Sequence, residues 1–286
     1  MTKNRAVLEL IFAGALWGFG FVATTWSLQK YSATDILIFR FLIAFVFGEF
    51  FRLSLQKRST WKISLHELPT FSIAGFFFGG MLLLQTIGLQ YTTATKSGFI
   101  TSLYIIIIPI LNSFLFKKHL RPSQWFAVFF AMIGTLLLLG DPRQDWNRGD
   151  LWTLGCALLA AGHIMYIGHL AKKQSLDAIK FNNYQTLIAL VLLLPLSQNL
   201  KLPDFSSELA DMGLIYLGLG ASFLAFAIQV RTQKVLSDTT ASMLFLLESP
   251  FAFLFGFIFL NETLQPLQLA GAAVILIASY RIVKIS

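Results

Sequence analysis

The sequence predicts an all-α membrane protein of ten transmembrane helices, arranged as two inverted repeats of five helices. Three observations support this fold class: apolar runs along the whole chain, basic residues concentrated in alternate loops, and similarity between the two halves at a constant offset. Of the 286 residues, 56% are hydrophobic and 13% are charged, whereas about 25% are charged in an average soluble protein. A soluble domain of this length cannot bury so much apolar surface.

Ten apolar runs approach the length of about 20 residues that a transmembrane helix needs. They are Leu10–Leu28, Ile36–Phe51, Thr70–Gln90, Ser97–Phe116, Pro122–Leu139, Leu151–Leu170, Phe181–Ser197, Met212–Val230, Ala241–Leu260 and Leu264–Tyr280. The first run is too long for the apolar part of a signal peptide and lacks a small-residue cleavage site. We therefore interpret it as a retained helix.

Lysine and arginine residues predict the orientation of the ten runs, because basic loops stay on the cytoplasmic side. If the N-terminus is cytoplasmic, the outer segments hold only Lys30, Lys96, Arg143, Arg148 and Lys201. The inner segments hold sixteen: Lys3, Arg5, Arg52, Lys57, Arg58, Lys62, Lys117, Lys118, Arg121, Lys172, Lys173, Lys180, Arg231, Lys234, Arg281 and Lys284. Both termini are thus predicted to be cytoplasmic. The net charge of +8 follows from these loops and does not indicate nucleic-acid binding.

The two halves align without gaps at an offset of 144 residues. Gln85 falls on Gln229, and residues 120–124 fall on residues 264–268, both of which have the pattern Leu-x-Pro-x-Gln. The alignment predicts two repeats, residues 1–141 and 142–286, within one membrane unit. Since five is an odd number, the second repeat would enter the membrane in the opposite sense, as in many secondary transporters.

An inverted repeat favours a transporter, because two similar halves can rock about a central site. A membrane-embedded enzyme would need a catalytic cluster, and a channel would need a continuous polar path; both remain alternatives. The single cysteine, Cys156, excludes a disulfide framework and a cysteine metal cluster. No catalytic residue, metal or cofactor is predicted.

Several short motifs occur in a recognisable order. They are Leu16-Trp17-Gly18, Arg40-Phe41, Leu247-Glu248-Ser249-Pro250, Leu260-Asn261-Glu262-Thr263-Leu264 and Gly271. With these motifs the chain resembles the EamA-type transporters of the drug/metabolite transporter superfamily over essentially its full length. The first half departs from the family at Lys117-Lys118-His119-Leu120, where Gly-Glu-x-Leu is common, so no acidic role is transferred to that position.

The resemblance implies a central cavity lined mainly by the first, third, fourth, sixth, eighth and ninth helices. It also implies transport of small metabolites, usually outward. The expected partners are a small-molecule substrate and the lipid bilayer, and a bacterial inner membrane is the expected location. Both a monomer and a homodimer fit the sequence.

Glu248 is the principal candidate for function, because an ionisable group deep in the bilayer usually faces a cavity. It lies roughly 10 Å from the inner end of the ninth run. It would bind a substrate amine or a coupling proton; alternatively, it is protonated and joins two helices. His163 lies at a similar depth and would relay protons with Glu248, or else is a neutral histidine bonded within the bundle.

Aromatic and amide side chains form the second group of candidates. Trp17 is unusually deep for a tryptophan and would stack on a substrate or pack in the core; the same alternatives apply to Tyr104 and Tyr166. The paired Gln85 and Gln229 would bond a ligand or join helices.

Arg40 lies roughly 6 Å inside the outer end of the second run. It would attract an anionic group such as a carboxylate, or else reach outward to solvent or cap the end of a neighbouring helix. Lys96 would gate the exit or be a solvated end residue. Local ion pairs are predicted for Glu9 with Arg5 and for Glu49 with Arg52. The resulting hypothesis is a proton-coupled or facilitative exporter of a small polar metabolite, such as an amino acid or related amine.

Overall fold

The computed structural model describes residues 1–55, 64–117, 120–139, 146–173, 176–197, 200, 202–203, 206–263 and 265–285. The boundary predicted between the two repeats, after residue 141, lies outside the described residues. So do several residues used to orient and align the chain: Lys57, Arg58, Lys62, Lys118, His119, Arg143, Lys201 and Leu264.

The described residues form helices and no strands. The α-helices are α1 (Lys3–Ser27), α2 (Ala33–Leu55), α3 (Leu68–Leu89), α4 (Ala94–Thr101), α5 (Tyr104–Phe116), α6 (Pro122–Leu139), α7 (Arg148–Lys173), α8 (Ala178–Leu193), α9 (Glu208–Tyr216), α10 (Ala225–Thr232), α11 (Asp238–Phe245), α12 (Glu248–Leu260) and α13 (Pro266–Ile285). A 3₁₀ turn, Leu194–Leu196, follows α8, and a π-helical segment, Leu217–Leu224, joins α9 to α10.

Within these described ranges, eight helical stretches are long and apolar enough to cross a membrane, which confirms an all-α membrane protein. Three of the eight join two α-helices, namely α4 with α5, α9 with α10, and α11 with α12, and a fourth joins α8 to the 3₁₀ turn. The apolar stretch Pro122–Leu138 is shorter. The helix α2 has sufficient length but contains the ionisable residues Asp35, Arg40, Glu49 and Arg52.

Two composite helices are interrupted near their midpoints, where a backbone N–H bonds the carbonyl three residues earlier instead of four residues earlier. In the turn between α11 and α12, the carbonyl of Leu246 accepts from the N–H of Ser249 at 3.0 Å. Proline at position 250 has no N–H with which to continue the regular α-helical bond to that carbonyl. A similar turn separates α4 from α5, where the N–H of Ile105 donates to Ser102 at 3.0 Å. These turns place Tyr104 and Glu248 at the starts of α5 and α12.

The offset of 144 residues recurs in the local structure at helix ends. Lys117 and Asn261, which end α5 and α12, are the described non-glycine residues with positive φ, at 51° and 56°. Gln124 and Gln268 each accept, through the side-chain oxygen, the N–H three residues earlier, at 3.0 and 3.1 Å. The same end geometry is therefore used twice, although lysine rarely adopts a left-handed conformation.

Glycine contacts bring α12 against α1. A β-carbon added at Gly18 would lie 2.5 Å from the β-carbon of Phe251 and 2.9 Å from the backbone nitrogen of Ala252. At Gly14 the corresponding distance to the backbone nitrogen of Glu248 is 3.5 Å. Small residues permit this approach of two backbones in a membrane bundle. As a result, the start of α12 faces α1 beside Trp17.

Candidate functional site

A cavity with about 610 Å³ of space free of protein atoms lies among the helices. Its polar lining consists of Trp17, Thr24, Arg40, Gln85, Thr101, Tyr104, Cys156, His163, Gln229 and Glu248. The remaining lining residues are apolar or glycine: Gly20, Met81, Leu82, Ala160, Ile164, Leu217, Ala221, Phe226 and Phe245. Both halves of the chain contribute residues to this lining.

Glu248 provides the acidic group of the cavity. It is the first residue of α12 and is partly exposed to the cavity that it lines. In the part of the chain that the structure describes, its carboxylate makes no hydrogen bond and no ion pair. Glu248 therefore presents an acceptor to whatever enters the cavity.

Tyr104 occupies the corresponding position at the start of α5 and lies within electrostatic range of Glu248. Its hydroxyl is buried and has no hydrogen-bond partner among the described residues. Since an unsatisfied buried hydroxyl costs about 1–3 kcal/mol, this side chain is not positioned simply for stability.

His163 belongs to a chain of buried hydrogen bonds. Its Nε2 lies 3.0 Å from Oε1 of Gln185, whose Nε2 donates to Oδ1 of Asn182 at 2.8 Å. Nδ2 of Asn182 donates at 3.1 Å to the carbonyls of Ser222 and Phe223. Because the two carbonyls can only accept, the amide group of Asn182 must point its NH2 towards them and its oxygen towards Gln185. Gln185 must then donate to Asn182 and turn its own oxygen towards His163. Nε2 of His163 is therefore a donor.

Both carbonyls belong to the π-helical segment Leu217–Leu224. A π-helix shifts the backbone bonding pattern and often occurs at functional sites. Here the side chain of Ser222 also accepts from Nε of Arg40 at 2.9 Å. Nε1 of Trp17 donates to the carbonyl of Ala221 at 3.3 Å. The segment is thus held by side chains from α1, α2 and α8.

Arg40 is buried and lines the cavity at the opposite end of the hydrogen-bond chain from His163. Nε bonds Ser222, and within the described ranges the guanidinium makes no ion pair. The side chain of Arg40 does not reach outward to solvent. The lining of one cavity therefore contains a basic side chain, Arg40, and an acidic side chain, Glu248.

Trp17 packs between two other cavity residues. Its ring centroid lies 5.0 Å from that of Phe226 and 5.3 Å from that of Phe245, with the rings inclined at 60° and 82°. Such tilted arrangements are favourable for aromatic side chains. The indole therefore both packs in the core and lines the cavity.

Gln85 and Gln229 line the cavity at positions related by the offset. Gln85 donates to Thr101 at 3.3 Å. Nε2 of Gln229 donates to Oε1 of Gln233 at 3.0 Å, and Gln233 itself donates to the carbonyl of Ile164 at 2.9 Å. Because the carbonyl of Ile164 can only accept, Gln233 must point its NH2 towards it and its oxygen towards Gln229. Gln229 therefore uses its NH2 to bond Gln233, and its oxygen is left to accept from another donor.

Tyr166, a sequence candidate for substrate binding, is not among the residues that line this cavity. Its hydroxyl instead donates to the carbonyl of Thr70 at 3.2 Å, which attaches α7 to the start of α3. Sequence reasoning did not single out Thr24, Thr101, Asn182 or Gln185. Two adjacent asparagines, Asn182 and Asn183, within an apolar run were the signal that could have indicated a buried polar network.

Ion pairs lie at the two ends of α7. At its start, Asp150 pairs with Lys96 at 2.7 Å, and both side chains are buried. At its end, Lys172 pairs with Asp238 at 2.9 Å. Lys96, expected to be either a gate or a solvated end residue, is therefore not solvated. Arg5 does pair with Glu9, at 3.0 Å.

Glu49 and Arg52 do not form the local ion pair that their spacing suggests. Glu49 accepts from Asn183 at 2.8 Å instead. The Nε and Nη1 atoms of Arg52 are buried without a hydrogen-bond partner among the described residues. In the same ranges no group of three or more His, Cys, Asp or Glu could hold a metal ion.

Apolar helices of membrane-spanning length, with a cavity among them that polar and apolar side chains line, define an integral membrane protein. The chain belongs to the EamA-like transporter family, whose model matches residues 4–140 and again residues 147–284. It is therefore a membrane transporter of the drug/metabolite type.

Several known proteins are similar to this chain, and one of them is named as a transporter. An uncharacterized transporter of Archaeoglobus fulgidus is 29% identical over 273 residues, which span 96% of this chain and 84% of the relative. A WAT1-related chloroplastic protein of Arabidopsis thaliana is 31% identical over 68% of this chain and 49% of its own length. Protein PecM of Dickeya dadantii is 25% identical over 75% of this chain and 71% of its own length.

One solved crystal structure shares the fold over almost the whole chain. Its TM-score is 0.79, with 98% of this chain and 97% of the other covered. The sequence identity of 15% limits this likeness to the fold.

Proposed function

We propose that this protein exports a small polar metabolite, such as an amino acid or related amine, by alternating access, with proton coupling through Glu248. The observation that carries the proposal is a cavity lined by charged, amide and aromatic side chains from both halves of a transporter-family chain. A site between two similar halves opens to either side when the halves rock.

We also propose ten membrane helices in two inverted repeats, residues 1–141 and 142–286. The family model matches each half separately, and positive φ at Lys117 and Asn261 marks corresponding helix ends. All ten predicted apolar runs coincide with helical segments, including α2 and α6, which would span the membrane as well. The charged residues of α2 would be tolerated because Arg40 faces the cavity and Glu49 faces Asn183.

The excess of basic residues supports cytoplasmic termini, and we propose a bacterial inner membrane as the location. In this orientation, the pair Lys96–Asp150 lies at the outer end of α7 and the pair Lys172–Asp238 at the inner end. We propose that these two contacts open in alternation. A membrane-embedded enzyme or a channel is disfavoured by the family membership.

Coupling is proposed for Glu248 because its carboxylate faces the cavity without a protein partner in the described ranges. A deep carboxylate of this kind commonly serves in a proton relay. His163 is proposed to support the site rather than to exchange protons, since its Nε2 is committed to Gln185.

Transport would be tested in proteoliposomes with the purified full-length protein. Radiolabelled glycine, leucine, phenylalanine and the corresponding amines are offered with and without a pH gradient. We expect a pH gradient to drive uptake of at least one compound, and Glu248→Gln to abolish that drive. Glu208→Gln, an exposed glutamate at the start of α9, is the matched control and should behave as the unmodified protein. Uptake that is the same with and without the pH gradient, and the same in Glu248→Gln, would contradict proton coupling. Absence of uptake for every compound would contradict the proposed substrate class.

A further inference from the structure

A cluster of buried polar side chains lies between α2 and α8, apart from the cavity. Among the described residues, eleven buried side-chain nitrogen and oxygen atoms have no hydrogen-bond partner, and five of them belong to this cluster. The five atoms are Oε2 of Glu49, Nε and Nη1 of Arg52, Oδ1 of Asn183 and the hydroxyl oxygen of Tyr184. These four residues do not line the cavity. The cluster is therefore a second concentration of polar groups within the helix bundle.

Close contacts hold the four residues together. Nδ2 of Asn183 donates to Oε1 of Glu49 at 2.8 Å. A β-carbon added at Gly48 would lie 2.0 Å from Oδ1 of Asn183, so α2 and α8 pack closely here. Arg52 follows Glu49 by three residues, a spacing at which helical side chains are neighbours, and it lies within electrostatic range of Tyr184. The five atoms therefore belong to one small region near the end of α2.

The cluster is enclosed by protein. Its four residues are between 1% and 8% exposed. The ring centroid of Phe71 lies 4.6 Å from that of Tyr184, and Nζ of Lys180 lies 5.6 Å from the same centroid. A buried charge or hydroxyl without a partner is costly, so these groups need a partner that the described side chains do not supply.

We infer that the cluster binds ordered water molecules, which join Glu49 and Arg52 into a water-mediated ion pair. The unsatisfied set contains acceptors on Glu49 and Asn183, donors on Arg52, and a hydroxyl group that can do either. Water also does both, and a buried water typically bonds about three polar groups. An anion would leave the two acceptor oxygens unsatisfied and be repelled by Glu49. A metal cation would leave the guanidinium donors unsatisfied and be repelled by Arg52.

The bound waters lie at a contact between the two halves of the chain. The helix α2 precedes residue 141 and α8 follows it. Both helices also hold the π-helical segment, α2 through Arg40 and α8 through Asn182. Water-mediated bonds are nearly as favourable as direct ones, so the waters stabilise the packing of α2 on α8 that this support requires. The inference is independent of the proposed transport.

The test is X-ray footprinting of the full-length protein in detergent, read out by mass spectrometry. Hydroxyl radicals form from water beside a side chain, so a buried aromatic residue is modified rapidly where ordered water touches it. Phe181 is the matched control, because it is on the same helix as Tyr184, is 1% exposed, and packs against Phe71 with ring centroids 5.7 Å apart. We expect Tyr184 to be modified several-fold faster than Phe181 after correction for intrinsic reactivity. Equal rates, whether slow or fast, would overturn the inference.

A double variant tests the role of the two charged residues. Glu49→Leu with Arg52→Met removes the charges and their hydrogen-bonding atoms, and should reduce the modification of Tyr184 to the rate of Phe181. Arg281→Met, at an exposed arginine of α13, should leave both rates unchanged. A Tyr184 rate that stays high in the double variant would contradict a water-mediated ion pair. The comparison within the unmodified protein decides the matter if the double variant does not fold.

An anion is distinguished from water by its effect on the melting temperature. The unmodified protein and Arg52→Gln are each melted in sodium phosphate and in sodium chloride at equal ionic strength. We expect phosphate to produce no shift that depends on Arg52. A rise in phosphate that Arg52→Gln abolishes would show that an anion occupies the cluster, and would overturn the assignment to water.

Discussion

Tyr104 and Glu248 lie 144 residues apart in the sequence, and each is the first residue after the interruption of a composite helix. Both line the same cavity. The two halves therefore use one structural position in the same way, with a neutral hydroxyl in one half and a carboxyl group in the other. This asymmetry confines the acidic group of the cavity to one side.

Replacing Tyr104 by phenylalanine should not destabilise the protein. The hydroxyl is buried without a partner among the described residues, so its removal relieves a desolvation cost of about 1–3 kcal/mol. We expect the melting temperature of Tyr104→Phe in detergent to equal or exceed that of the unmodified protein. A decrease of several degrees would show that the hydroxyl has a stabilising partner in solution.

Gly18 should be intolerant of even a methyl group. The β-carbon of Gly18→Ala would overlap Phe251 and the backbone of Ala252. Overpacking of this kind typically costs about 1–3 kcal/mol, because α1 and α12 must move apart.

Gly20→Ala is the matched control, since its β-carbon would meet Ala221 at an ordinary 3.7 Å. Thermal denaturation of both variants in the same detergent would check the prediction. Equal stability of the two variants would contradict the close packing of α1 on α12.

Depth along the helices could be predicted from the sequence, but rotation about the helix axis could not. Counting residues placed Trp17, His163 and Glu248 at similar depths, and all three line the cavity. Tyr166 lies one helical turn from His163 but bonds the carbonyl of Thr70 instead. Which face of a helix points inward depends on the packing of its neighbours, which a single sequence does not specify.

The π-helical segment also could not be predicted. Its sequence, Leu217–Leu224, is simply apolar and glycine-rich. The altered backbone is supported by Asn182, which lies about 40 residues earlier in the chain and donates to two of its carbonyls. Likewise, the spacing of Glu49 and Arg52 suggested a local pair, because local spacing carries no information about Asn183 on another helix.

Asp150→Asn should destabilise the protein strongly. Asp150 pairs with Lys96 at 2.7 Å and also accepts from Thr92 and from the backbone of Asn147. Removing one partner of a buried ion pair typically costs about 3–5 kcal/mol.

The half-exposed pair of Lys180 and Glu67, at 3.0 Å, provides the contrast. Glu67→Gln should cost no more than about 1 kcal/mol. Denaturant titrations of both variants would check this. A small effect of Asp150→Asn would show that water replaces the lost charge.

The pair of Glu67 and Lys180 also predicts a dependence of stability on pH. The hydrogen bond from Lys180 lowers the pKa of Glu67 from its ordinary value of 4.5 in the folded protein, and the backbone N–H of Ser64 contributes further. A carboxyl group with a depressed folded pKa stabilises the protein above the unfolded pKa. That contribution is lost as the pH falls through the folded pKa. We expect Lys180→Gln to be slightly less stable than the unmodified protein at pH 7, with the difference disappearing at about pH 3. A difference that is the same at both pH values would contradict the assignment.

His163 should carry a proton on Nε2. Asn182 donates to two carbonyls, which can only accept, so the amides of Asn182 and Gln185 have fixed orientations and leave Oε1 of Gln185 facing the imidazole. Nitrogen NMR of protein labelled at histidine would report the tautomer, with the His163→Gln spectrum identifying the signal. Gln185→Leu removes the acceptor and should shift that signal, whereas a substitution at the exposed His66 should not. A histidine protonated at Nδ1 would contradict the hydrogen-bond chain, and with it the fixed geometry of the π-helical segment that orients Arg40.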